Sequence, residues 1–318
     1  MERSEQNALG QAVSTELALD RPGTGPAAID ARDLTKRFGK TEALAGLTMR
    51  VPQGSVYALL GRNGAGKSTF IQMLLGLLEP TKGDLRVLGL NPMRDGERLR
   101  RRIGYIPERL PMYDWMDVGQ ILRFVAAQYP TWSADEERHY LERFRIPMDR
   151  KVGELSRGQR ALLSLVLALG HRPELILLDE CTSGMDAIAR NEFDRSVIDA
   201  LHESGRTILF ASHQIRELER LCDWVGIIDH GRLLLEMPVD EIKAAVRTIR
   251  VRGPEEALER LSGEQILARR RLGREWLFTV ASLPGLPALT LPDGASIVEE
   301  IDLSLEEIFI ALLNEEGR

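Results

Sequence analysis

The segment GRNGAGKST, residues 61–69, sets Gly61, Gly66, Lys67 and Ser68 at the spacing G-x-x-x-x-G-K-[ST]. It follows the apolar run SVYALL (55–60) and opens the helical stretch STFIQMLLGLL, the strand-to-helix context this pattern requires. Small residues there let backbone N–H groups from Gly64 to Ser68 wrap phosphate oxygens. Lys67 can reach the β and γ phosphates, and Ser68 offers a hydroxyl to Mg²⁺. Arg62, Asn63, Ala65 and Thr69 complete the loop.

Two further segments end apolar runs in chemistry-bearing residues. ELILLDE puts Asp179 and Glu180 at the C-terminal end of a buried strand. A carboxylate there can hold Mg²⁺ beside the phosphate loop, provided the two strands are neighbours. Two adjacent carboxylates closing an apolar strand are costly without a cation. ILFASHQ ends another such strand in His213, on the side of an open α/β sheet where ligands bind. The stretch ELSRGQRALL (154–163) is a helix start. Ser156 and Gln159 make a capping box, and the helix should stop at Gly170 ahead of Pro173. Gly158 in its first turn costs roughly 1 kcal/mol against alanine. A bare backbone at a helix N-terminus invites an anion.

The elements that must position these residues follow from the hydropathy pattern. SVYALL, IGYI (103–106), ELILLD (174–179) and RTILFAS (206–212) are nearly continuous in apolar residues, as parallel strands covered on both faces are. Helical spacing fills the intervals, so the class is α/β. DVGQILRFVAAQY and SADEERHYLERFRI predict helices, placing a helical subdomain at about 109–165 inside a sheet domain spanning 29–238. Residues 239–318 change in composition. TIRVRG and EWLFTV suggest strands, and SLEEIFIALL is a capped amphipathic helix with Leu305, Ile308, Phe309, Leu312 and Leu313 on one face. A small α+β accessory domain is expected there. Residues 1–28, polar and rich in small residues, are expected to form a flexible tail.

Composition bounds the setting. The net charge of −6 disfavours a bulk-electrostatic nucleic-acid partner. Cys181 and Cys222 are the only cysteines, too few for a disulfide framework, and fit a reducing compartment. No apolar run approaches the ~18 residues of a membrane span.

Phosphate loop, LSRGQ, LILLDE, SGMD and His213 occur in the order and spacing of the ATP-binding cassette (ABC) ATPases, which the chain resembles from about Ile29 to Glu236. YIPE, YPTW and the terminal SLEEIFIALL are similar to single-cassette ATPase subunits of ABC-2-type exporters. The resemblance implies a P-loop NTPase fold, ATP and Mg²⁺ as ligands, and hydrolysis with Glu180 polarising the attacking water. It implies that His213 contacts the γ-phosphate, that Phe38 stacks on adenine, and that Ser183 to Asp186 links two nucleotide sites. Glu108 stands at a position that offers oxygen to Mg²⁺ beside Ser68 and Asp179, where most cassettes carry glutamine. Leu155, Ser156, Arg157, Gly158 and Gln159 resemble the signature that binds ATP held by a second ATPase subunit, with Arg157 replacing a glycine. Cys181 and Ala187 replace usual prolines. Head-to-tail pairing of two cassettes would then supply the anion that the second helix start invites.

The implied protein is peripheral on the cytoplasmic face of a membrane and drives a separate integral permease, with no nucleic acid among its partners. The alternative is a soluble cassette ATPase acting on nucleic acid or ribosomes. ERLPMYDWMDV (108–118) is either packing within the helical subdomain or a groove for a helix of the permease. ARRRLGREW (268–276), with Arg269, Arg270, Arg271 and Arg274, is most simply a solvated hairpin.

Overall fold

A computed structural model describes residues 25–313, apart from 183–184, 186–189, 192, 194, 198–204, 213–214 and 284. The expected N-terminal tail therefore falls almost wholly outside the described residues. Strands β1 (Ala27–Phe38) and β2 (Thr41–Pro52) pair antiparallel. The chain then passes through β3 (Val56–Leu60) into helix α1 (Lys67–Leu74), and β4 (Lys82–Val87) returns to β1, giving a sheet in the order β2-β1-β4. A short helix α2 (Gly96–Arg100) leads to β5 (Ile103–Ile106).

The second sheet carries the four strands expected from their apolar runs. β6 (Leu175–Asp179) and β7 (Thr207–Ser212) join β3 and β5, followed by β8 (Trp224–Asp229) and β9 (Arg232–Pro238), in the order β5-β6-β7-β3-β8-β9. All pairs are parallel except the closing β8–β9 hairpin. Alternate residues go to opposite cores, because side chains of a strand alternate between faces. Tyr57, Leu59, Leu177 and Leu209 join Phe70, Ile71 and Leu74 of α1. Ala58, Leu60, Ile176, Leu178 and Phe210 join the opposite core, with the long helix described next.

Between β5 and β6 lie the predicted helices. α3 (Val118–Ala126) starts at Asp117, whose capping box with Gln120 is closed in both directions, and α4 (Ala134–Phe144) starts at Ser133. α5 (Arg157–Leu169) starts at Ser156, again with a complete capping box to Gln159, and stops at Gly170. Its apolar run buries Leu162, Leu163, Leu165, Val166 and Leu169, so a single Leu163→Ala would cost about 2–5 kcal/mol. Trp132 packs on Gly170 so closely that a Cβ there would lie 2.6 Å from the indole ring.

Beyond β7, α6 (Ile215–Leu218) precedes β8, and α7 (Val239–Ala245) follows β9. Then come β10 (Val246–Arg252), α8 (Glu255–Glu259), the hairpin β11 (Ile266–Leu272) and β12 (Glu275–Ala281), β13 (Ser296–Asp302) and α9 (Leu305–Leu313). These strands form an antiparallel sheet in the order β11-β12-β10-β13, with a small core of Ile249, Val251, Leu258, Ile266, Phe278 and Val280. In α9 the deeply buried residues are Leu305, Ile308 and Ala311. Phe309, Leu312 and Leu313 of the expected apolar face are only half-buried. The arginine stretch forms the exposed β11–β12 turn around Gly273, whose φ of 63° suits a residue without a Cβ.

Candidate functional site

The phosphate loop is held as a cradle by its surroundings. Gly66 is the N-cap of α1 with φ 109°, and no side chain caps the helix. A Cβ on Gly66 would lie 2.6 Å from the Ala43 carbonyl oxygen, and one on Gly61 would lie 2.5 Å from that of Ile228. Gly231 N–H donates to the Ala65 carbonyl at 3.0 Å, and Ala65 N–H to that of Arg62 at 3.1 Å. Turn and neighbours thus fix the backbone, while the first-turn N–H groups of α1 have no intrahelical partner, the arrangement that attracts a phosphate. Arg62, Asn63, Gly64 and Ser68 are exposed around the cradle, with Thr69 half-buried.

Lys67 lies beneath the loop, only 4% exposed, and its ammonium is surrounded by oxygen. It donates to the carbonyls of Gly61 at 2.7 Å and Arg62 at 3.2 Å, and pairs with Glu180 Oε1 at 3.2 Å. Ser68 Oγ donates to Asp179 Oδ1 at 3.2 Å. One strand end therefore serves both reactive positions of the loop, Asp179 toward the hydroxyl and Glu180 toward the lysine.

The sequence-based condition that β6 and β3 be neighbours is not met: β7 lies between them. Asp179 reaches Ser68 because α1 crosses over the sheet and contacts β6, spanning the intervening strand. Glu180 reaches Lys67 through a left-handed backbone, φ 48°, with its N–H donating to the Ala211 carbonyl at 2.9 Å. A non-glycine residue in this region carries strain of about 1–3 kcal/mol, the kind of conformation that clusters at functional sites.

Electrostatics around Asp179 favour a cation. Burial raises its pKa above the usual carboxylate value. The Ser68 hydrogen bond opposes that shift, and the charges of Glu180 and Glu108 add to it. Ser68, Asp179 and Glu108 are hard oxygen donors, the chemistry Mg²⁺ requires. Among the described residues no three His, Cys, Asp or Glu side chains gather into a metal cluster. Mg²⁺ needs none, because it is held by one or two carboxylates together with substrate phosphates. Tyr105 on β5 was not singled out by the sequence, where it is one aromatic in an apolar run. Burial first, then the charges of Asp179 and Cys181, push its phenol up to about 12, so it stays protonated beside the carboxylates.

The remaining predicted residues are distributed around this centre. Phe38 is 50% exposed at the end of β1, with Lys36 Nζ 5.2 Å from its ring centre, leaving much of the aromatic surface open. Glu108 follows β5 and is exposed. Ser156 and Arg157 are exposed at the start of α5, Gly158 and Gln159 are half-buried and Leu155 is buried. No acidic residue occupies the first turn of α5. Cys181 is buried. His213, Ser183, Asp186 and Ala187 lie outside the described residues. β7, which leads toward His213, ends at Ser212, next to Ala211, which is in register with Asp179.

A phosphate cradle whose lysine and hydroxyl face two carboxylates on a buried strand defines a nucleotide-hydrolysing α/β protein. The profile of the ABC transporter family matches residues 44–183. The bacitracin transport ATP-binding protein BcrA of Bacillus licheniformis is 38% identical over 217 residues, 68% of this chain and 71% of that protein. Nod factor export ATP-binding protein I of Burkholderia lata is 32% identical over 305 residues, 91% of this chain and 98% of that one. Among solved structures, cbiO1 from Clostridium perfringens, part of the ABC transporter complex cbiONQ, superposes with a TM-score of 0.62 at 28% identity, over 69% of this chain and 91% of that one. The chain belongs to the ATP-binding proteins of ABC transporters, and it binds and hydrolyses ATP.

Proposed function

We propose that the chain pairs head-to-tail with a second ATPase subunit, drives a separate integral permease, and works in export from the cytoplasmic face of a membrane. The carrying observation is the pairing of Lys67 with Glu180 and of Ser68 with Asp179 in one cleft, 3.2 Å each. ATP entering the cradle would draw Lys67 onto its β and γ phosphates, releasing the Glu180 carboxylate to take a proton from the attacking water. Ser68, Asp179 and Glu108 would hold Mg²⁺, which when bound neutralises phosphate charge. Phe38 would stack on the adenine, and His213 would contact the γ-phosphate.

Dimerisation is supported by α5. Its first turn presents Ser156, Arg157, Gly158 and Gln159 without an acidic side chain, and α1 already serves the chain's own nucleotide. A second phosphate must come from the facing subunit. Export is supported by the relative named for Nod factor export, and transport by the one named for bacitracin transport. A membrane partner is supported by Tyr113, Trp115, Phe124 and Met148, each 45% exposed or more. Tyr113 lies 5.9 Å from both Trp115 and Phe124, ring centre to ring centre, making a contiguous aromatic surface. Of the two readings of ERLPMYDWMDV, this exposure favours the docking groove, while Leu110, Met112 and Met116 do the packing. No described helix is long and apolar enough to cross a membrane itself.

The test is mild detergent extraction of native membranes followed by affinity isolation of the chain. An integral protein with several apolar spans should accompany it in constant ratio. Recovery of the chain with ribosomes or DNA instead would reject the proposal.

A further inference from the structure

The arginine stretch of the β11–β12 hairpin plays no part in the nucleotide cleft, and its setting in the C-terminal sheet gives it another use. β11 and β13 are the two edges of the sheet β11-β12-β10-β13. β11 reads ILARRRL and carries Arg269, Arg270 and Arg271, all exposed, with no acidic residue. β13 reads SIVEEID and carries Glu299, Glu300 and Asp302, all exposed, with no basic residue. One edge is therefore lined by cations and the other by anions. Each presents backbone N–H and C=O groups with which a further strand can pair.

The register across the sheet lines these charges up. Arg270 stands opposite Leu277, Leu277 opposite Arg250, and Arg250 opposite Glu299. The next row runs Arg269, Phe278, Ile249, Glu300. Both rows start on an arginine at one edge and end on a glutamate at the other. β11 runs in the direction of β10 and against β13, so a second copy displaced along the rows sets its β11 antiparallel to β13 of the first. In that register Arg270 meets Glu299 and Arg269 meets Glu300, each pair on one face of the extended sheet. Opposite charges directly across two strands favour their pairing, and like charges oppose it. Two β11 edges would set arginine on arginine, and two β13 edges acid on acid, so neither edge suits its own kind. β13 is irregular at Val298, which leaves residues 299–302, with both glutamates, as its regular stretch.

We infer that the C-terminal sheet is a head-to-tail assembly surface for further copies of this chain, the acidic edge β13 of one copy being extended by the basic edge β11 of the next. The two edges are different surfaces, so the contact does not close on a pair but continues from copy to copy as a ring or a row. The strands are short, so the contact is weak and depends on concentration. It needs no nucleotide and does not rest on the pairing through α5 proposed above.

Sedimentation velocity of the full chain without nucleotide tests it, since pairing through ATP then contributes nothing. At about 0.02 M salt the mean mass should climb with concentration beyond twice that of one chain. At about 0.5 M salt, where exposed charges are screened, it should fall to that of one chain. Arg269→Glu with Arg270→Glu makes β11 acidic like β13, and Glu299→Lys with Glu300→Lys makes β13 basic like β11. Each double variant alone should sediment as a single chain. Mixed in equal amounts, the two should assemble as the parent does, because every acidic edge then finds a basic one. Both variants stay net negative, since each moves the charge of −6 by four, so bulk attraction does not account for assembly of the mixture. Its recovery also shows that both variants are folded. A parent that remains a single chain at every concentration, assembly by either variant alone, or a mixture that fails to assemble would overturn the inference. Growth that stops at two copies would overturn the head-to-tail arrangement.

Discussion

Lys67 Nζ and Glu180 Oε1 stand 3.2 Å apart, the lysine 4% and the glutamate 16% exposed at their side chains. The group expected to grip phosphate and the group expected to activate water neutralise each other. In the proposed function, phosphate oxygens replace the Glu180 carboxylate at Lys67, and that exchange frees Glu180. Glu180→Gln should therefore abolish hydrolysis while binding ADP more tightly, by about threefold to tenfold, because a competing ion pair worth about 1 kcal/mol is gone. Lys67→Ala should lose both hydrolysis and most nucleotide affinity. Isothermal titration of both variants checks this. Weaker ADP binding by Glu180→Gln would contradict the exchange.

Asp179 makes a separate, pH-dependent prediction. Its pKa is raised chiefly by burial, so the folded chain holds a proton there more firmly than the unfolded one. The associated stability is present below the ordinary carboxylate pKa and is lost as pH rises through the raised one. Asp179→Asn should then melt higher than the parent at neutral pH without Mg²⁺. The gap should close on acidification. With Mg²⁺ and ADP the order should reverse, since only the parent offers the cation the Asp179 carboxylate. Thermal unfolding across pH, with and without Mg²⁺, measures all three.

Much of this cleft was legible in the sequence, for physical reasons. The phosphate loop declares itself because its glycines are required by φ values of 82° at Gly64 and 109° at Gly66. Parallel strands buried on both faces appear as apolar runs, and the capping boxes at Asp117 and Ser156 mark helix starts by side-chain chemistry alone. The strands β1, β2 and β4 were not legible. Repeated register shifts between β1 and β2 break the alternation that a regular strand would show. β13 is exposed along its whole length, so no burial pattern marks it. Strand order was beyond local pattern too: that β7 separates β3 from β6 follows from packing of α1 across the sheet.

Trp115, 66% exposed, tests the docking surface. Trp115→Glu places a charge beside Tyr113 in the exposed aromatic patch. Membrane association in the native cell should fall severalfold, with basal ATPase within about twofold of the parent and melting within about 1 °C, as for surface substitutions generally. Fractionation, a phosphate-release assay and thermal melting together separate docking from folding. A large loss of stability would assign Trp115 to packing instead.

Gly66→Ala should damage the cradle itself. The position has φ 109°, and a Cβ there would meet the Ala43 carbonyl oxygen at 2.6 Å. Backbone strain and overlap together should cost about 2–4 kcal/mol or displace the loop. Denaturant unfolding and ATP titration would register one or the other. A variant with unchanged stability and affinity would show that the loop is not held as described.

In the proposed function, ATP on one subunit is completed by the signature helix of another. Light scattering of Glu180→Gln measures it directly. With Mg²⁺ and ATP the mass should double, and with ADP it should not, because ADP offers α5 no γ-phosphate. Adding Gly158→Asp puts a carboxylate and a Cβ into the first turn of α5, opposing both phosphate and close approach. That double variant should stay monomeric while binding ATP at Lys67 with unchanged affinity. A dimer that persists in the Gly158→Asp background, or that forms equally with ADP, would contradict the account.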